Sequence, residues 1–190
     1  MNAASEMFFL KGFQKTKIDD IVKSLNISKG LAFYYFKTKD ELIDAVINKL
    51  SNEAAQPCIK IANSGEDFPQ KIARLMKHFL NFAAGSKEKF KVMISSDDLR
   101  ILSRYREALF QKLSPYLIEL IKEGVDGGNI TNTDASNSLI IIFSGCTTFV
   151  AFNSNSPEFD FEQFMHSAVN LMEMAMGMKK GSIQNIIDKI

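Results

Sequence analysis

Lys29, Tyr34 and Tyr35 lie within one seven-residue stretch, and Lys37 and Lys39 follow at once. Lysine can pair with a phosphate or donate to a guanine edge. A tyrosine hydroxyl can donate to phosphate, and its ring can pack on a thymine methyl. Together these groups are what a DNA major groove and its flanking phosphates require. The same residues also fit a small amphipathic hairpin whose tyrosines only pack. Catalytic chemistry has less to work with. The two histidines, His78 and His166, have no Cys, His or carboxylate at metal-ligand spacing on the same helix face. Glu162 stands four residues before His166 as an ordinary surface pair. Asp97-Asp98 suits a helix start, and there is no glycine-rich phosphate loop and no Gly-x-Ser-x-Gly. No catalytic residue, metal site or cofactor is expected.

The elements that would position the lysines and tyrosines are short. Thr16 can cap a first helix, with Asp19 in the place of a capping-box acid. Ile18, Ile21, Val22 and Leu25 then form one apolar face at helical spacing. Asn26 suits the left-handed end of that helix. Ile27 plugs the turn, and Ser28 can cap a second helix from Lys29 to about Tyr35. Cap, apolar stripe, sharp turn and second cap describe a helix-turn-helix. Thr38-Lys39-Asp40-Glu41 is a second capping box and starts a helix that should end before Pro57.

With these residues placed, the stretch from Ala3 to Leu42 resembles the N-terminal domain of the tetracycline repressor (TetR) family. The resemblance rests on Phe8-Phe9-Leu10-Lys11-Gly12-Phe13, on Thr16 to Val22, and on Asn26-Ile27-Ser28-Lys29-Gly30-Leu31-Ala32-Phe33-Tyr34-Tyr35-Phe36-Lys37-Thr38-Lys39-Asp40-Glu41-Leu42. Three positions depart from the family pattern. Asn26 stands for Gly, Ala32 for Leu and Phe33 for Tyr, the last removing a phosphate-directed hydroxyl. The chain also starts almost inside its first helix, where family members carry several more, often basic, residues. Either that start is truncated, or DNA is held with fewer phosphate contacts and a weaker salt dependence.

Composition bounds the rest. The chain has 190 residues, is 46% hydrophobic and carries a net charge of +1. That is ample for a core and gives no general nucleic-acid signal. Residues 1–50 hold eight Lys against six Asp or Glu, a net of +2, and the local lysine grouping carries more weight than this small asymmetry. No stretch is long and apolar enough to suggest a membrane span, and no secretory signal is visible. Cys58 and Cys146 read as two reduced thiols of a cytosolic (cytoplasmic) protein.

The pattern along the chain is all-α. A helix is expected over residues 2–11, then the helix-turn-helix and the helix begun at Lys39. Further helices are expected over 56–62, from Pro69 to Gly85, over 87–95, over 98–123 bent or disrupted at Pro115, over 134–153 capped by Thr131 or Thr133, over 161–177 capped by Asp160, and over 182–189. This divides the chain into a three-helix head, residues 1–45, and a helical bundle, residues 46–190. The helices near 134–153 and 161–177 are apolar around much of their circumference, which places them against their copies in a homodimer, or simply inside a monomer. Family resemblance implies the same dimer interface.

Nine Met and sixteen Phe also suit an adaptable apolar cavity. Phe79, Phe82, Met93, Phe110, Phe143 and Phe149 are its candidates, against ordinary core packing. In the family this region binds a small molecule that changes the spacing of the two heads. The resemblance therefore implies a ligand-responsive regulator, usually a repressor, released by an effector of unknown identity, apolar or aromatic in character. Double-stranded DNA would be held as a palindromic operator by a dimer. Lys29 and Tyr34 are the expected base readers. Thr16, Tyr35 and Lys39 are expected on phosphate, with Lys17 and Ser28 beside them. The alternative is a helical ligand-binding or interaction protein whose head no longer binds DNA.

Overall fold

A computed structural model describes residues 2–85, 92, 100–132, 134–153, 156 and 158–189. Among the described residues there are nine helices and no strand: α1 Asn2–Lys11, α2 Ile18–Leu25, α3 Lys29–Tyr35, α4 Lys39–Ala62, α5 Phe68–Gly85, α6 Arg100–Asp126, α7 Ala135–Asn153, α8 Phe161–Met176 and α9 Gln184–Ile187. The chain divides into two compact units. One is Met1–Ala54 with Glu88–Lys112, and the other is Ala55–Lys87 with Leu113–Ile190.

In the first unit, Phe8 of α1 stacks on Phe13 with ring centres 4.9 Å apart, and both are fully buried. Ile21 and Val22 of α2 and Leu42, Ile43 and Val46 of α4 are buried too. Burial of these aromatic and aliphatic side chains together holds the unit. Further along α4, Arg104 of α6 forms an ion pair with Asp44, and the Lys112 ammonium donates to Asn48 Oδ1 at 2.8 Å.

Two prolines lie inside helices, and one of them departs from expectation. The sequence predicts that a helix ends before Pro57 and that a separate short one follows. The structure has one continuous helix, α4, with Pro57 inside it. Pro115 lies within α6, the long helix expected around it, and no turn is disrupted there. A proline removes one helical donor and crowds the preceding turn, at a cost of about 3 kcal/mol. Apolar burial on both sides offsets that. Leu50, Ala54, Ala55, Cys58 and Ile61 are buried along α4, and Leu109, Leu113, Leu120 and Ile121 along α6.

The second unit is closed by its turns. Asp160 caps α8, its carboxylate accepting from the Gln163 N–H at 2.9 Å. Gly177 ends α8 in the left-handed conformation, φ 64°, and a Cβ there would collide with Thr131 Oγ1. Thr131 does not cap α7. Its hydroxyl donates to the Gly177 carbonyl at 2.8 Å, and Asn132 Oδ1 accepts from the Asp134 N–H at 2.9 Å instead. Thr133 lies outside the described residues, as does the helix expected over 87–95, of which only Val92 is described. Glu173 is 1% exposed, and its carboxylate accepts from the N–H groups of Gly181, Ile183 and Gln184 at 2.6, 2.7 and 3.4 Å. It thereby fixes the start of α9.

Candidate nucleic-acid interface

The turn between α2 and α3 is built as its residues require. Asn26 takes φ 50°, ψ 41°, and its N–H donates to the Lys23 carbonyl. The chain reverses at once, with the Ile27 N–H donating to Val22 O at 3.2 Å. Ser28 Oγ accepts from the Leu31 N–H at 3.1 Å. Such a cap stabilises a helix by about 1 kcal/mol, and it matters here because α3 has only seven residues. Thr38 caps α4 as expected, accepting from the Glu41 N–H at 3.1 Å. The return bond of the box goes one residue further back, from Lys37 N–H to the Glu41 carboxylate at 2.6 Å.

The start of α2 is built otherwise than the sequence suggests. Lys17, not Thr16, occupies the cap position, and its N–H donates to the Asp20 carboxylate at 3.3 Å. Thr16 is 0% exposed; its hydroxyl donates to the Gly12 carbonyl at 2.8 Å and lies 3.2 Å from Met7 O. It ties α2 to the end of α1 and is turned away from solvent.

On α3, Tyr34 and Tyr35 stand out from the fold, 72% and 67% exposed, with rings packed edge to face at 5.3 Å. Neither hydroxyl has a hydrogen-bond partner among the described residues. Lys29 is exposed but engaged. Its ammonium lies 2.8 Å from the Asp19 carboxylate and 5.8 Å from the centre of the Phe33 ring. The Asp19 carboxyl is held below its ordinary value, chiefly by the hydrogen bond from Lys29. Lys39 is half-buried and donates to the Gln14 carbonyl at 2.8 Å; burial lowers the pKa of its ammonium. Lys17 and Ser28 are exposed beside these groups.

Sequence reasoning passed over Leu31. It is 45% exposed, and it shares the outer face of α3 with the two tyrosines. The signal was available as the i, i+3, i+4 spacing of 31, 34 and 35. The Asp19 partner of Lys29, ten residues away across the turn, had no local signal.

Phe79 and Phe143 meet edge to face at 5.3 Å in the second unit. Phe82 lies 6.3 Å from His78. Phe149 is stacked on Phe164 at 5.1 Å. Phe110 is half-buried in the first unit, and Met93 lies outside the described residues. Among the described residues no group of His, Cys, Asp or Glu could hold a metal ion, and no helix is long and apolar enough to cross a membrane. Cys58 and Cys146 form no disulfide, and burial pushes the Cys58 thiol up to about 11.

A capped two-helix turn that presents aromatic hydroxyls from a short second helix has the geometry of a DNA-binding helix-turn-helix, here followed by an all-helical body. Residues 1–46 match the model of bacterial regulatory proteins of the tetR family. The chain is 23% identical over 128 residues to YhgD of Bacillus subtilis (strain 168), an uncharacterised HTH-type transcriptional regulator; the match spans 67% of this chain and 66% of that one, just under two thirds of the relative's length. Among solved structures it is similar to RolR without ligand (TM-score 0.68, 15% identity, 98% of this chain and 94% of that one). It is also similar to FadR from Bacillus subtilis in complex with stearoyl-CoA (TM-score 0.65, 16% identity, 92% and 95%). A TetR/AcrR-family regulator from Thermobifida fusca is similar as well (TM-score 0.62, 20% identity, 89% and 93%). Residues 1–46 thus carry the tetR-family DNA-binding domain, and the chain as a whole shares the all-helical fold of these solved structures.

Proposed function

We propose that the protein is a ligand-responsive repressor that binds a two-fold symmetric operator as a homodimer. Residues 1–45 read DNA, and residues 46–190 bind an effector and dimerise. The observation that carries the DNA reading is the outer face of α3, with two tyrosine hydroxyls unpartnered among the described residues on a helix fixed by the Asn26 turn and the Ser28 cap. Tyr34 reads a base edge and Tyr35 a phosphate. Ser28, whose Oγ accepts from the helix, keeps its proton to donate to phosphate. Lys29 reads a base once it leaves Asp19, and Lys17 and Lys39 face phosphate. Thr16 serves by holding α2 in place.

What supports the dimer is an apolar stripe. Helix α7 contains no charged residue, and Ile141, Gly145, Phe149 and Phe152 are exposed along it at spacings of four, four and three. Leu171 and Met174 are exposed on α8, Met174 at 78%. Two such helices and their copies make a four-helix interface. The aromatic pair Phe79–Phe143 supports an apolar or aromatic effector. The capacity of the fold for such a guest is illustrated by stearoyl-CoA in the FadR structure.

The test is selection of random duplex DNA by the purified protein, a salt titration of the best site, and then addition of aromatic and acyl compounds. A symmetric enriched sequence whose half-sites lie about one helical turn apart, or a multiple of it, is the expected result. A protein that enriches no duplex overturns the proposal.

A further inference from the structure

We propose that Leu31 is a specificity residue, packing its side chain on the 5-methyl group of one thymine in each operator half-site. The inference rests on α3 being the recognition helix. At about 100° per residue, Leu31 projects between Tyr34 and Tyr35, at the middle of the exposed face of α3. A solitary exposed leucine requires no explanation by itself. Its neighbours give this one a meaning. The Lys29 ammonium is drawn aside to Asp19 at 2.8 Å, and Gly30 contributes no side chain. The outer face therefore offers two hydroxyl-tipped rings around one aliphatic branch.

Gly30 strengthens the case. Its φ is not positive, and a Cβ added there would meet nothing within 4 Å. Neither backbone conformation nor packing within the chain asks for glycine at this place, although glycine inside a helix costs about 1 kcal/mol relative to alanine. Its absent side chain leaves α3 free to come close to a partner just beside Leu31.

The chemistry of the major groove then selects the base. Only thymine presents a methyl group there; guanine and adenine present acceptors, and cytosine presents an amino donor. An isobutyl group laid against any of those would strip water from a polar edge without replacing its hydrogen bond. Against thymine it buries methyl on methyl.

The experiment uses the full chain and its best selected duplex. Each thymine is replaced singly by deoxyuridine, which removes the 5-methyl group and nothing else. In the wild-type protein, one position per half-site should lose affinity about fourfold, the value of one buried methyl. Leu31→Ala should abolish the penalty at that position and leave those at other positions intact, while Leu31→Met should retain it. The proposal is overturned if the uracil profiles of wild type and Leu31→Ala coincide, if no substitution costs affinity, or if the half-site contains no invariant thymine. Failure to enrich any duplex is seen earlier, in the selection itself, and refutes the recognition-helix reading together with this proposal.

Discussion

The Lys29 ammonium lies 2.8 Å from the Asp19 carboxylate, so the first residue of α3 is tied to the first turn of α2. Both side chains are more than half exposed. Surface pairs of this kind contribute little to stability, and their effect on DNA binding is larger. Asp19→Asn should free Lys29 and remove a negative charge from the DNA-facing side. Affinity should rise, and the slope of log affinity against log salt should steepen by about 1. A salt titration of wild type and variant checks this; an unchanged slope would mean that Lys29 does not engage the duplex once released.

Gly30→Ala separates folding from binding at a single atom. The added methyl meets nothing within 4 Å of its own chain. Helix propensity should raise stability by about 0.5–1 kcal/mol, read as a shift in the urea midpoint. Operator affinity should fall at the same time. A variant that is more stable and binds equally well would show that DNA does not approach α3 at this residue.

Glu173→Ala leaves three N–H groups, at Gly181, Ile183 and Gln184, without their charged acceptor. Hydrogen bonds to charged groups contribute about 1.5–3 kcal/mol each, and they are not additive. A loss of ~3 kcal/mol in urea unfolding is expected, with new proteolytic cleavage after Met178. Glu173→Gln, which keeps one acceptor oxygen, should recover part of it.

His78 gives the second unit a pH dependence. Burial holds its imidazole below the ordinary 6.5, so the unfolded chain binds the proton more readily. The contribution of His78 is fully present above about pH 6.5 and is lost as the pH falls through the folded-state value. Urea melts at about pH 7.5 and about pH 5.5 should differ more for wild type than for His78→Gln.

Met174→Glu places a charge on the most exposed apolar position of α8. In the dimer it would be buried without a partner. Sedimentation should show monomers at concentrations where wild type is dimeric, with thermal unfolding of the monomer little changed.

Much of this architecture is written locally, and there the sequence suffices. Asn26 can take the left-handed turn, Ser28 and Asp160 can cap, and Gly177 can end a helix, and each does so. What was not legible depends on residues far apart in the chain. Pro57 stays inside a helix because buried neighbours outweigh the lost donor. Lys39 meets the carbonyl of Gln14, twenty-five residues earlier, and Lys29 meets Asp19 across the turn. The aromatic candidates illustrate the same limit. Composition proposes all of them at once, and it does not say that Phe79 and Phe143 are a pair in contact.

The near-neutral outer face of α3 bears on how a target is found as well as how it is held. Sequence-independent attraction to the duplex comes from cations, and here one ammonium is engaged by Asp19 and another by a main-chain carbonyl. Such a head dwells briefly on the millions of irrelevant sites that a genome offers. A larger share of molecules stays unbound and searching, and occupancy of the correct site depends on shape and methyl contacts that irrelevant sites lack.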